Sequence, residues 1–123
     1  MTLTQKVFIL KSIKPFDNLS DGELLLLADI ISVKKYKKGS MIYSKENSLY
    51  NLYVIIDGEV VDDEQKEVKG YFGIKELLND DMMDNSFYAN EDTTLFLISK
   101  AHLLTLLYES PSLMIGFLSK GKE

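Results

Sequence analysis

The chain of 123 residues has no cysteine, no arginine and only two prolines. Without cysteine there is no disulfide, no thiolate metal site and no cysteine nucleophile. Without arginine, all 14 basic side chains are lysines, which are point charges and cannot grip a phosphate with a planar fork. No apolar run approaches the ~20 residues that span a bilayer; residues 24–28, the longest, are flanked by acids. The N-terminus lacks the basic, apolar and small-residue succession of a secretory signal. Positive charge is scarce as well, since 19 acids against 14 lysines leave a net charge of −5. That balance argues against nucleic acid as a partner. A hydrophobic fraction of 46% with 27% charged residues is ordinary for a globular chain. These absences predict a cytoplasmic protein with no membrane segment, forming one domain over residues 1–123 with a single core.

What is present is a series of periodic segments. Thr4 precedes an amphipathic stretch with Val7, Phe8, Leu10 and Ile13 on one face, stopped by Pro15. Ser20 and Glu23 are spaced as a capping box, hydroxyl to a free amide and carboxylate back to the cap. They open a helix over 21–31 that reads as buried around most of its circumference, and helical character continues to Lys35. Short extended segments follow: one from Met41 to Tyr43, and another over 49–61 containing Tyr53, Val54, Ile55 and Ile56. Asp57-Gly58 between apolar residues predicts a hairpin, because glycine accepts the positive φ of a tight turn. Residues 62–66 form a polar tip, 68–72 return as a strand, and 93–98 form the last strand. Ser99 caps a helix carrying Leu103, Leu104, Leu106 and Leu107, Pro111 breaks it, and residues 113–118 form a second apolar helix. Helices, short strands with glycine turns, then helices again predict a β-roll or sandwich rather than a parallel sheet.

Five motifs in this order carry a resemblance. They are Phe8-Ile9-Leu10-Lys11-Ser12-Ile13 with Pro15-Phe16 and Leu19-Ser20; Tyr36, Gly39 and Ile42-Tyr43; the run from Leu52 through Asp57-Gly58-Glu59-Val60; Phe72-Gly73; and Ala89 with Glu91-Asp92-Thr93. Together they resemble the cyclic-nucleotide-binding-domain family, the β-roll of catabolite-activator-type regulators and protein kinase A regulatory subunits. The resemblance implies a mainly-β fold, an eight-stranded antiparallel jelly roll (double-stranded β-helix) flanked by N- and C-terminal α-helices. It also implies a phosphate-binding cassette, in which a Glu accepts the ribose hydroxyl and an Arg pairs with the cyclic phosphate.

Mapped on that pattern, the ligand positions are Gly73, Ile74, Lys75, Glu76, Leu77, Met83, Asp84 and Asn85. Phe72-Gly73 keeps the frame, but Ile74 stands at the ribose-binding Glu, Met82-Met83 replaces Pro-Arg, and Asp84 replaces a small residue. No shift of alignment rescues a phosphate partner, because residues 79–90 contain no basic side chain. A carboxylate near an anion repels it by ~1–4 kcal/mol, and a lost charge-assisted hydrogen bond costs a further ~1.5–3 kcal/mol. The expectation is therefore a module that has lost cAMP and cGMP binding and acts through protein contacts. The second reading is a small-molecule sensor with a remodelled cassette pocket. Lys75 is the one basic residue that would swing toward a residual phosphate.

The remaining chemistry is sparse. His102 has no nucleophile and orienting acid beside it in any recognisable pattern, and no phosphate-binding glycine loop occurs. The acids at 62–64 with Glu67 lack the alternating spacing of a cation loop and read as a solvated turn. Asp80-Asp81 with Asp84, lying in the emptied cassette, has slightly more appeal as a metal site but is a short motif of the kind that usually binds nothing. No enzyme, cofactor or metal is expected. Lys34-Lys35 and Lys37-Lys38 form a basic run suited to an acidic partner or a solvated strand end. In family transcription factors a dimer helix and a DNA-binding domain follow this position, and with the last residue at Glu123 none is expected here. Leu113, Met114, Phe117 and Leu118 either pack back on the chain or form a homodimer seam.

Overall fold

Thr2, not Thr4, starts the first helix. Its hydroxyl accepts the Gln5 amide at 3.1 Å and the Gln5 side chain returns to the Thr2 amide at 2.8 Å, a capping box two residues earlier than the apolar pattern indicated. In this computed structural model residues 1–120 are described, 118–120 by backbone only. The chain forms two compact units, one comprising Met1–Ile31 with the chain from Ala101 onward, the other Ser32–Lys100.

The first unit holds helices from both chain ends: α1 (Leu3–Leu10), a 3-10 turn (Phe16–Asn18), α2 (Asp21–Ile30), and α4 (Lys100–Glu109) from its second residue with α5 (Pro111–Lys120). The Ser20–Glu23 capping box forms as expected, with bonds of 3.2 and 2.9 Å. Ser110 also donates to the Glu23 carboxylate. That hydrogen bond, then those from Ser20, hold the Glu23 pKa below its usual value. Lys6 Nζ reaches the carbonyls of Ala28 and Ile31 at 3.3 and 3.2 Å, satisfying groups that the end of α2 leaves free.

Two sequence readings need correction here. Helix α2 is buried on one stripe only, Leu24, Leu27 and Ala28, while Leu25 and Leu26 are 52% and 67% exposed. A 3.6-residue period turns two of four consecutive leucines away from the interior. For the same reason Phe8 does not share the face of Leu10: it is 78% exposed and Leu10 is fully buried.

On α5, Leu113 and Phe117 are buried at the i, i+4 spacing, and the Phe117 ring meets Phe16 edge-on at 5.7 Å. Gly116 lies so close to Pro15 that an added Cβ would overlap the proline ring. Gly116→Ala ought to stabilise an open helix by up to ~1 kcal/mol. Here overpacking reverses the sign, and we expect a loss of about 1–3 kcal/mol in urea denaturation. Equal or raised stability would refute this packing.

The second unit contains eight strands: β1 (Ser32–Tyr36), β2 (Met41–Tyr43), β3 (Asn51–Asp57), β4 (Val60–Asp62), β5 (Glu67–Val68), β6 (Tyr71–Phe72), β7 (Phe87–Ala89) and β8 (Thr93–Ser99), with α3 (Ile74–Asn79) between β6 and β7. Every pair is antiparallel. They make two four-stranded sheets, β1-β8-β3-β6 and β2-β7-β4-β5, the antiparallel roll implied by the sequence motifs. Leu95, Phe96, Leu97 and Ile98 of β8 are all buried, which suits a central strand covered on both faces.

Residues 32–35 are strand rather than helix, because β1 pairs along its full length with β8, from Ser32 opposite Leu97 to Tyr36 opposite Thr93. Asp57-Gly58 is not a hairpin turn. β3 and β4 belong to different sheets, and Gly58, at φ +93°, makes the corner between them. The tip beyond β4 is the local hairpin: Asp62, buried, accepts the amides of Glu64 and Lys66 at 2.8 and 3.0 Å. Its carboxylate therefore closes a turn.

Candidate functional site

The cassette begins at Gly73, whose φ of +101° admits the chain into α3 without a side-chain cap. The helix is only six residues long and ends at Asp80, itself left-handed at φ 55°. Ile74 is half-buried, Lys75 is exposed, Glu76 is half-buried and Leu77 is buried. After the helix, Asp84 is exposed, Asn85 half-buried and Met83 buried.

Met83 points into the roll. It belongs to a cluster between the two sheets formed by Ile42, Tyr43, Tyr53, Val60, Phe72, Phe87, Ala89, Leu95 and Leu97. Four rings lie in it: Phe72 stacks on Tyr53 at 4.8 Å and on Phe87 at 4.1 Å, and Tyr43 lies 6.4 Å from Tyr53 and 6.5 Å from Phe87. Burial pushes the Tyr53 hydroxyl pKa above its ordinary value, and burial and then the Glu76 carboxylate do the same for Tyr43. The segment ending in Phe87 is also tied down. Ser86 N donates to Asp63 Oδ2 at 3.3 Å, Lys45 N donates to Ser86 Oγ at 3.0 Å, and Lys45 Nζ pairs with Asp63 at 3.5 Å.

The sequence-derived positions therefore divide. Glu76 and Leu77 share a cleft of about 200 Å³ with Ser48, Leu49, Asp80, Asp81, Met82 and Lys100. Met83 faces the interior instead, and Gly73, Ile74, Lys75, Asp84 and Asn85 do not line that cleft. Sequence reasoning missed Lys100, the cation of the cleft, which pairs with Asp80. No local motif marks it; its place immediately after β8 brings it there, where its amide donates to Tyr50 O at 3.0 Å. A second cleft, of about 500 Å³, lies along β2 and the following loop, with Met41, Tyr43, Tyr50 and Tyr53 among its uncharged walls. Among the described residues no group of three or more His, Cys, Asp and Glu side chains is placed to hold a metal ion.

At the seam considered for α5, Leu113 and Phe117 are buried, Met114 is half-buried and Ile115 is 65% exposed. The Leu118 side chain lies outside the described residues.

Two antiparallel four-stranded sheets, helices at both chain ends and a short helix after β6 define the cyclic-nucleotide-binding-domain fold. Solved structures agree. The chain is similar to the regulatory subunit of a cAMP-independent protein kinase A from Trypanosoma brucei, at a TM-score of 0.83 and 20% identity over 98% of this chain and 47% of that one. It is similar to the Trypanosoma cruzi regulatory subunit bound to guanosine, at 0.77 and 20% over 96% and 45%. The sensor domain of the transcriptional regulator DNR from Pseudomonas aeruginosa matches at 0.75 and 20% over 93% and 88%. The chain thus spans less than half the length of the kinase regulatory subunits it matches. No protein-family model matches the chain, and no curated protein does. Among the described residues no helix is long and apolar enough to cross a membrane.

Proposed function

We propose that the chain is a non-enzymatic regulatory module, one domain in extent, that does not bind cAMP or cGMP and acts through contacts with another protein. One observation carries this reading: Met83, at the position where the resemblance implies a phosphate-binding Arg, is packed among the rings of the roll interior. Its thioether offers a phosphate no ionic or donor contact, and its burial in the hydrophobic cluster supports a roll interior occupied by the chain's own side chains. The open cleft beside α3 does not compensate. At about 200 Å³ it falls below the ~300–1,000 Å³ of ordinary ligand pockets, and Glu76, Asp80 and Asp81 set three acids against one lysine there. Lys75 is exposed on α3 and does not line that cleft. The neighbour described as cAMP-independent is in keeping with a roll that regulates without cAMP.

The second reading, a small-molecule sensor, finds support away from the cassette, in the tyrosine-lined cleft along β2, whose lining contains no charged residue and suits an uncharged ligand. Titration calorimetry at low salt separates the two. The expected result is no saturable heat with cAMP or cGMP in the micromolar range. Saturable binding there would overturn the proposal, and its loss in Lys75→Ala would identify the rescuing cation. A nucleoside such as guanosine binding where cAMP does not would select the sensor reading.

A further inference from the structure

The sheet β1-β8-β3-β6 ends at β1, which is paired on one side only. A terminal strand leaves alternate amide and carbonyl groups pointing outward, free to pair with another extended chain. This edge carries an unusual charge. Lys34 and Lys35 lie on β1, Lys37 and Lys38 in the turn after it, and all four are exposed. Among the described residues none of the four has an ion pair; the lysines that do are Lys11, Lys45, Lys66, Lys69 and Lys100. In a chain with 19 acids, none occurs between Asp29 and Glu46. Beside the lysines in register stand Leu95 and Thr94 of β8, with Thr93 opposite Tyr36. Two carboxylates approach from neighbouring elements. Asp57 lies one strand further on, also opposite Thr94, and Asp92 Oδ1 accepts the Lys38 amide at 2.9 Å.

Lysine on an edge strand commonly serves to block pairing. One charge suffices for that, and four within five positions exceed it. Their repulsion does exclude one occupant, a second copy of this edge, since antiparallel β1 strands would bring lysine against lysine. The same charge favours an opposite partner, adding Coulombic attraction to the backbone ladder. We propose that the outer edge of β1 receives an extended acidic segment of another protein as a fifth strand. Successive residues of a strand face opposite sides of the sheet, so Lys34 and Lys35 call for consecutive carboxylates rather than alternating ones. This surface is separate from the cassette, and either proposal can fail without the other.

The test uses a fluorescein-labelled dodecapeptide with four consecutive glutamates between threonines and valines, and a control with lysines in their place. Fluorescence anisotropy should show micromolar binding of the acidic peptide alone, weaker at higher salt. Lys34→Glu with Lys35→Glu, and separately Lys37→Glu with Lys38→Glu, should each weaken it about ten-fold or more. These sites are exposed, and thermal melts confirm that the variants fold. Hydrogen exchange should slow at residues 32–36 on binding. No binding, equal binding of the control, undiminished binding by both folded variants, or binding without protection of β1 would each overturn the proposal. So would displacement of the peptide by anionic vesicles, or self-association through β1 in light scattering.

Discussion

Met83→Arg is expected to destabilise the fold by about 3 kcal/mol or more without creating a binding site for cAMP. The substitution restores the residue type that the resemblance places there, so it tests what occupies the pocket. Met83 is 8% exposed and belongs to the same hydrophobic cluster as Tyr53, Phe72 and Phe87. A guanidinium in that position would be taken out of water into an apolar cluster, and burying a charge is among the costliest single changes. Met83→Leu, similar in volume, should cost under ~1.5 kcal/mol. Urea denaturation of the two variants, with calorimetry against cAMP, gives the answer. A stable Met83→Arg protein that binds cAMP would show that the interior opens readily, and the reading of a roll filled by its own side chains would fall.

The second large effect is expected at Gly58. A Cβ added there would lie 2.5 Å from both Asp92 O and Thr93 Oγ1 and 2.7 Å from Thr93 Cα. Two of those atoms are backbone, so no side-chain rotation relieves the overlap. Thr93 has little freedom to move, being 2% exposed and bonded to Glu59 N at 3.2 Å and Glu91 O at 2.8 Å. Gly58 also sits at φ +93°, a region that costs a side chain about 1–3 kcal/mol by itself. Gly58→Ala should therefore lose about 3 kcal/mol or more. Gly39 is the matched control: its φ is +90° and nothing lies within 4 Å of a new Cβ. Gly39→Ala should lose only the conformational part. If the two variants prove equally stable in denaturant, the corner at Gly58 is not built as described.

How far these features were legible in the sequence differs from place to place. The capping box at Ser20 and Glu23 was readable because both partners lie within one turn. The strand character of residues 93–98 was readable because Thr93-Thr94-Leu95-Phe96-Leu97-Ile98 is a short run of β-branched, aromatic and apolar residues, and the structure buries its four apolar side chains. Strand β1 was not, because Ser32-Val33-Lys34-Lys35 follows a helix and has no strong local preference; its structure comes from pairing with β8 far along the chain. The Asp57-Gly58 signal was real as a positive-φ corner but mute about which sheet comes next. At the cassette, the lack of a basic residue from 79 to 90 was plain. That Met83 turns inward while Glu76 and Leu77 line the adjacent cleft was not, since side-chain direction after α3 depends on the left-handed Asp80 and on the hydrogen bonds of Ser86.

The corner at Gly58 bears on how the chain reaches this state. By sending β3 and β4 into separate sheets, it denies them the pairing with a sequence neighbour that hairpins allow. In the register, Ser32 meets Leu97, Met41 meets Tyr88 and Leu52 meets Ile98, and only β4 and β5 close across a short turn. Each of the other ladders must absorb the entropy of closing a long loop before any of its hydrogen bonds form. Helices α1 and α2 have local bonds and caps to begin from, whereas the roll has almost none. The roll therefore falls in the slow-folding class of topologies dominated by distant contacts, and β8, hydrogen-bonded to both β1 and β3, is the strand on which two of those distant ladders converge.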